Sequence, residues 1–130
     1  MKILSIDHIV LTVNNISETI QFYEYVLGMT VEYFGEDRVA LTFGNQKINL
    51  HERGKEFEPK AGKPTPGSED LCFLIGTEIT ESMEHLRNKG IKILEGPVER
   101  TGATGRILSF YFRDPDNNLI ELANTINDIK

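Results

Sequence analysis

Cysteine, basic residues and long apolar runs are scarce in this chain, and each scarcity excludes a class of protein. The single cysteine, Cys72, has no partner for an internal disulfide, which favours a reducing compartment such as the cytoplasm. Fourteen Lys and Arg against twenty Asp and Glu give a net charge of -6, whereas nucleic-acid binding depends on clustered basic residues. No apolar run approaches a membrane span or a signal-peptide core. We therefore expect a soluble cytoplasmic protein that binds neither nucleic acid nor membrane.

Strand and helix patterns alternate through the first half. Residues 6–13, IDHIVLTV, alternate and are rich in β-branched residues, which predicts a strand. The stretch NNISETIQFYEYVLG has helical spacing, with Ser17 as a candidate cap and Gly28 as its end. The short runs TVEYFG, RVALTFG and KINLHE predict three further strands joined by tight turns.

The same series restarts after a loop rich in charge, proline and glycine. EDLCFLI, residues 69–75, predicts a strand, and ITESMEHLRNKG predicts a helix with Thr80 as a candidate cap. IKILEGPV, residues 91–98, predicts a strand that Pro97 restricts to a sheet edge. After the glycine loop ERTGATGR, the runs ILSFYF and LIELAN predict two last strands around a DPDNN turn.

These two halves form an internal repeat. Residues 7–13 match residues 69–75, and Gly28 matches Gly90 at the same offset. A β-α-β-β-β unit written twice predicts an α+β fold. In this fold, two tandem βαβββ modules form a curved, partly open mixed sheet around a concave face, where we expect the functional site.

The length of 130 residues and an ordinary content of apolar residues, 39%, predict a single domain with a real core. Within this domain we expect module 1 at about residues 1–53, a linker at 54–68 and module 2 at about 69–126.

Strand alternation assigns potential metal ligands to the concave face, because successive side chains of a strand point to opposite sides and the apolar set should face the helix. Four polar residues fall on the concave face by this rule: His8, His51, Asp70 and Glu121. In the aligned repeats His51 falls on Glu121. Two imidazoles and one or two carboxylates suit one divalent ion of Zn, Ni, Co, Mn or Fe, with an open position for a substrate.

Three further residues are candidates for lining a pocket on this face. Asn49 and Cys72 share the concave pleat, and Tyr111 precedes Glu121 by ten residues. A small inert thiol is the commoner role for Cys72 and a half-buried ring the commoner role for Tyr111, so we assign neither a catalytic step.

The stretches DHIVLTV, FYEYVLGM, PGSEDLCFLI and YFRDPDNNLIEL resemble the vicinal oxygen chelate superfamily over nearly the whole chain. That superfamily includes glyoxalase I, fosfomycin and bleomycin resistance proteins and extradiol dioxygenases. NLHERGKEFEPKAGKPTPGSEDLCFLI and ERTGATG are most similar to its glyoxalase-domain-containing group, which includes bacterial virulence-associated glyoxalase-like proteins.

This resemblance implies a metal-dependent enzyme of the lactoylglutathione-lyase type that acts on a small molecule and forms a homodimer. Ligands from the first and last strands of each module carry over to His8, His51, Asp70 and Glu121. Many members have histidine or glutamine in place of Asp70, so a site without it is the alternative. By resemblance, Glu121 would be the catalytic base.

Two other functions occur in the superfamily and stay open. A non-catalytic binding module, like the bleomycin resistance proteins, would hold a cationic drug in an acidic groove without metal. An extradiol dioxygenase would need iron, and Tyr111 stands at the spacing of its tyrosine, although Asp70 stands where its second histidine belongs.

Overall fold

The computed structural model describes residues 1–127, in which two βαβββ series follow one another. The first consists of β1 (His8–Val13), α1 (Ile16–Tyr25), β2 (Thr30–Phe34), β3 (Arg38–Phe43) and β4 (Gln46–Glu52). The second consists of β5 (Asp70–Leu74), α2 (Ile79–Asn88), β6 (Glu95–Thr101), β7 (Arg106–Arg113) and β8 (Leu119–Thr125). The α+β class and the repeated βαβββ order are therefore confirmed.

Two compact units make up the chain, Met1–Ser68 and Glu69–Lys130, and each has a four-stranded mixed sheet. The strand order is β1-β4-β3-β2 in the first unit and β5-β8-β7-β6 in the second. The first and last strands of each unit pair in parallel, and the other pairs are antiparallel. Strand β6 lies at a sheet edge, as Pro97 predicts.

Apolar residues at alternate strand positions form a core in each unit. In the first unit the buried strand residues include Leu11, Val13, Ile48 and Leu50, and in the second Phe110, Phe112, Ile120 and Leu122. Each set faces its helix, and we call the opposite side of each sheet its helix-free face. Neither helix within residues 1–127 has the length and apolar character that a membrane span requires.

The cap of helix α1 lies two residues before Ser17, the predicted cap. The cap is Asn15, whose extended backbone precedes the helix and whose Oδ1 accepts a hydrogen bond from the Glu18 amide at 2.9 Å. Glu52 Oε1, at the end of β4, accepts a further bond from the Ile16 amide at 3.2 Å. The Ser17 prediction is wrong because Ser17 already lies inside the first turn.

The predicted cap of helix α2, Thr80, is wrong as well. Its cap is Glu78, which accepts hydrogen bonds from the Glu81 amide at 3.1 Å and from the Thr80 hydroxyl at 2.6 Å. Thr80 therefore contributes a bond to the capping carboxylate instead of capping the helix itself.

Strand β6 has different bounds from those predicted. It runs from Glu95 to Thr101 and so includes residues that the sequence places in the glycine loop. A register shift lies between Glu95 and Val98, where Gly96 adopts a φ of 128°. A Cβ at Gly96 would meet Phe110 Cβ at 2.5 Å, so this close approach to β7 requires glycine.

Candidate functional site

The second unit brings three of the predicted residues together on its helix-free face. Glu121 in β8 lies directly across from Cys72 in β5 on one side and from Tyr111 in β7 on the other. Asp70 is on the same face but pairs with Leu119, one diagonal step from Glu121. Residues directly opposite or diagonal in neighbouring strands are within reach of one another.

Polar contacts connect these side chains to Glu121. Alongside burial, the charge of the Glu121 carboxylate and a polar contact with it raise the pKa of the Cys72 thiol and of the Tyr111 hydroxyl. The oxygen of Tyr111 in turn accepts a bond from Arg100 Nε at 3.1 Å, and Arg100 forms an ion pair with Glu95 at 3.2 Å. Arg100 thus lies in β6 and holds Tyr111, whereas the sequence places it in a loop.

A pocket of about 520 Å³ opens beside these polar contacts. Its lining includes Cys72, Arg100, Tyr111 and Glu121, together with the β6–β7 turn, residues 101–105. This volume lies within the range of small-molecule sites. The pocket therefore has the size for a small substrate and one carboxylate that the neighbouring donors hold in place.

Both donors to Glu121 keep their protons at neutral pH. Desolvation, with further contributions from the Glu121 charge, its hydrogen bond and Asp70, raises the pKa of the Cys72 thiol from 9.0 to about 11, although the residue as a whole is exposed. Burial also raises the pKa of Tyr111, and the cation of Arg100 opposes part of that rise. Protonated donors beside Glu121 fit a carboxylate that is held in one orientation.

The raised pKa predicts a slow thiol. A shift of two units, from 9.0 to about 11, leaves about 100-fold less thiolate than an unperturbed cysteine at about pH 8, so iodoacetamide should modify Cys72 correspondingly slowly. Glu121→Gln should accelerate modification by removing the negative charge, without restoring the rate of a free thiol because burial remains. Mass spectrometry gives both rates cleanly, since Cys72 is the only cysteine. Equal rates in the two proteins would contradict the contact with Glu121.

The first unit separates the two predicted histidine ligands. Both lie on its helix-free face, but His8 pairs with Lys47 whereas His51 pairs with Thr12. Four residues along a strand correspond to roughly 13 Å. The fold of this unit therefore does not bring His8 and His51 together.

The strand register also corrects the alignment of the repeats. The pair Val10 and Asn49 in β1 and β4 corresponds to the pair Cys72 and Glu121 in β5 and β8. The alignment of His51 with Glu121 is therefore wrong, because Asn49 occupies the equivalent position. His8 and Asp70 are equivalent, as the sequence offset predicts.

His8 has a geometry that suits a metal ligand. Its Nδ1 lies 2.8 Å from Asp7 Oδ2, and the imidazole is 41% exposed. Histidine ligands usually donate one ring N–H to a carboxylate, which fixes the tautomer and leaves the other nitrogen for the metal. Asp7 is thus in the position to leave His8 Nε2 available.

His51 is instead buried, with only 4% of its surface exposed. Its Nε2 has no hydrogen-bond partner within residues 1–127, and its ring meets Phe57 edge-on at 5.8 Å. Burial lowers the pKa of His51, the cations of Arg38 and Lys60 lower it further, and Glu56 opposes them. The imidazole is therefore neutral at neutral pH.

By donor type, the predicted ligands fit a divalent ion, since imidazole and carboxylate are its usual ligands in proteins. In the described part of the chain, however, no three His, Cys, Asp or Glu side chains form a group that could hold a metal ion. The predicted residues divide between the two units, with His8 and His51 in the first and Asp70 and Glu121 in the second. The ligand set stays a prediction.

Comparison with known proteins establishes the family. Residues 5–122 match the Glyoxalase/Bleomycin resistance protein/Dioxygenase superfamily, and the chain belongs to this superfamily.

Two relatives share more than half of their aligned residues with it. Virulence protein STM3117 of Salmonella typhimurium is 58% identical over 126 residues, which cover 97% of this chain and 88% of the relative. Its crystal structure has a TM-score of 0.95 and covers 97% of this chain and 100% of that one. Glyoxalase domain-containing protein RDO1 of Mycosarcoma maydis is 57% identical over 124 residues, 95% of this chain and 70% of RDO1.

A more distant relative is named for metal-dependent chemistry. Metallothiol transferase FosB of Staphylococcus epidermidis is 28% identical over 130 residues, which cover 98% of this chain and 87% of FosB. The superfamily therefore includes metal-dependent enzymes, whereas the names of the two more similar relatives give no reaction.

Proposed function

We propose that this chain is a divalent-metal-dependent enzyme of the lyase or isomerase type, and that its substrate is a small molecule whose oxygens chelate the metal. The observation that carries the proposal is the Glu121 carboxylate, which lies between the protonated side chains of Cys72 and Tyr111 at the wall of a pocket of about 520 Å³. Membership of a superfamily with metal-dependent enzymes supports it.

In this proposal His8, Asp70 and Glu121 supply ligands to one ion of Zn, Ni, Co, Mn or Fe. The hydrogen bond from His8 Nδ1 to Asp7 supports the first of them. His51 is a fourth candidate because its buried Nε2 lacks a partner among the described residues, although its distance from His8 makes it the weakest. A bound ion would supply a Lewis acid that polarises the oxygens of the substrate.

Glu121 is the proposed base that takes and returns the substrate proton. Tyr111 and Cys72 orient its carboxylate, and Arg100 fixes Tyr111 through the bond of 3.1 Å. A base must lie within hydrogen-bond reach of the proton it moves. The pocket beside Glu121 gives a small substrate that access.

The wider context of the proposal is a single glyoxalase-like domain that acts as a homodimer in the cytoplasm. The family supports the domain and the dimer, and the single cysteine supports a reducing compartment.

Elemental analysis of the purified protein, with no chelator in the buffers, tests the metal. We expect about one divalent ion per chain in the wild type and none in the His8→Ala, Glu121→Ala double variant. The identity of the ion then selects the substrates to be assayed, hemithioacetals for Zn, Ni or Co and catechols for Fe.

The same experiment separates the alternatives. Iron with oxygen uptake on catechols would replace the lyase by a dioxygenase. A protein that takes up no ion, even after incubation with Zn, Mn, Ni and Fe, would exclude the enzyme proposal; tight metal-free binding of a cationic drug would then favour a binding module.

A further inference from the structure

A second polar surface lies on the helix-free face of the first unit, and we call it the cationic face. It consists of Lys47, Asn49 and His51 in β4 and Arg38 in β3. Asn49 pairs with Ala40, and the same antiparallel register brings Arg38 beside His51. Ala40 itself is small and fully buried.

Two cations on this face contact aromatic rings. Arg38 Cζ lies 4.6 Å from the Phe57 ring centroid and 5.4 Å from that of Phe34. Lys47 Nζ lies 4.0 Å from the same Phe34 ring. Within residues 1–127 no carboxylate forms an ion pair with either cation, not even Glu32 on β2. The rings hold both cations half-buried without neutralising them.

Two polar atoms between these cations also lack partners. Asn49 is 6% exposed and His51 is 4% exposed, and neither Asn49 Oδ1 nor His51 Nε2 has a hydrogen bond in the described part of the chain. Buried polar atoms are nearly always paired in folded proteins. Two such atoms beside two cations that form no ion pair among the described residues indicate a binding site.

We infer that the cationic face binds a small oxyanion that also carries a hydrogen-bond donor, such as a phosphate monoester or a hydroxylated carboxylate. The charged oxygens pair with Arg38 and Lys47, and an O–H of the same group donates to Asn49 Oδ1. His51 Nε2 offers one more hydrogen bond from a neutral ring. The inference goes beyond the proposed metal chemistry and shares only His51, the weakest ligand candidate, with it. The contacts of Arg38, Lys47 and Asn49 involve no metal.

Selectivity between two simple anions follows from Asn49. Near neutral pH, phosphate presents both charged oxygens and a P–OH, whereas sulfate presents charged oxygens alone. An acceptor such as Asn49 Oδ1 has a partner in phosphate and none in sulfate, so sulfate would leave it unpaired. Phosphate should bind at least about 10-fold more tightly than sulfate.

The experiment is an NMR titration of the full chain with inorganic phosphate and with sulfate. Prior treatment with a chelator, followed by dialysis, makes the result independent of any metal site. Shifts of the Arg38 side-chain Nε–H and the Asn49 amide locate the binding. Arg38→Gln should weaken phosphate binding by about 10-fold or more, while Arg53→Gln, in the exposed loop after β4, should not change it.

Asn49→Val should remove the preference for phosphate over sulfate. The anion ratio in the wild type tests the inference even if that variant does not fold. Three results would overturn the inference: no saturable shift with phosphate, equal affinity for the two anions in the wild type, or the same loss in Arg53→Gln as in Arg38→Gln.

Discussion

Glu121→Gln should lower the affinity for a divalent ion by at least about 100-fold while the fold stays intact, since even changes to the partners of metal ligands cost 10–100-fold. Glutamine has nearly the same shape, and its amide oxygen still accepts hydrogen bonds from Tyr111 and Cys72. It lacks the negative charge that makes a carboxylate a stronger ligand for a hard or borderline cation than a neutral amide. Competition against a chromogenic chelator measures the affinity, and circular dichroism checks the fold.

Glu121→Gln should also slow catalysis when the metal is supplied in excess. Proton transfer by a positioned group typically contributes 10²–10⁴-fold, and glutamine cannot carry the proton. We therefore expect turnover of the substrate found in the screen to fall by about that factor. A fully active, metal-loaded Glu121→Gln protein would exclude Glu121 as the base.

Glu99→Gln is the matched control for this change. Glu99 lies in the same unit and forms only an exposed ion pair with Arg106, at 2.7 Å. Exposed pairs contribute little, so metal affinity and turnover should stay at the wild-type level. A similar loss of affinity in both variants would mean that the net charge of the unit, and not ligation by Glu121, attracts the ion.

The modification rate of Cys72 distinguishes an error in the ligand role of Glu121 from an error in its orientation. If Glu121→Gln accelerates the reaction of Cys72 and leaves metal affinity unchanged, the contact between these side chains is right and the ligand role is wrong. If neither property changes, the orientation of Glu121 itself is wrong. The pKa shift of Cys72 thus tests the geometry without a substrate.

Alternation along the strands was sufficient to predict the repeated βαβββ order and the face of each ligand candidate. The caps were predicted less well, because the sequence offers neighbouring residues that are equally able to cap. Asn15 and Glu78 cap the two helices, whereas Ser17 and Thr80 each lie two residues further along. Only the backbone conformation decides between such neighbours.

The strand register was the other feature that the sequence could not supply. His51 and Glu121 both lie near the end of the last strand of their unit. Being near a strand end does not determine which residue of the neighbouring strand each one pairs with. Parallel pairing with β1 and β5 makes Asn49 the counterpart of Glu121. A shift of two residues keeps a side chain on the same face, so alternation alone does not detect it.

Contacts between distant parts of the chain could not be predicted from the sequence either. Arg100 reaches Tyr111 only because β6 extends to Thr101, through residues that read as a glycine loop. Phe57 reaches Arg38 only because the segment after β4 folds back on the sheet. The pocket and the cationic face both depend on such contacts.

The DPDNN turn, residues 114–118, also has a role that its sequence did not predict, since its turn-forming residues explain only part of its structure. Asn117 adopts a φ of 67°, as a turn residue can. Asp114 and Asn118, however, are 4% and 0% exposed. Asp114 Oδ2 accepts a bond from Asn118 Nδ2 at 2.8 Å, and Asn118 Oδ1 accepts one from the Glu69 amide at 2.9 Å. The turn therefore connects the start of β8 to the start of β5.

Asn118→Ala should destabilise the protein by roughly 2–4 kcal/mol, because it removes the bond from Asn118 Nδ2 to the buried Asp114 Oδ2 and the bond from the Glu69 amide to Asn118 Oδ1. Urea unfolding measures the loss. Asn117→Gly is the matched control: glycine adopts the left-handed backbone of Asn117 readily, and the side chain of Asn117 has no part in these bonds, so stability should change by less than about 0.5 kcal/mol.

A double-mutant cycle with Asp114→Ala separates the pair from the turn. If the two side chains act together, the double variant should lose less stability than the sum of the single variants, because each single change already removes the bond between Asn118 Nδ2 and Asp114 Oδ2. Strict additivity would mean that Asn118 acts through the Glu69 amide alone.

The Glu69 amide that Asn118 binds directly precedes Asp70, and Leu119 N donates to Glu69 O at 3.0 Å two residues before Glu121. Loss of Asn118 should therefore loosen the strand pairing that places Asp70 near Glu121. Metal affinity and stability should both fall in Asn118→Ala, and neither should fall in Asn117→Gly.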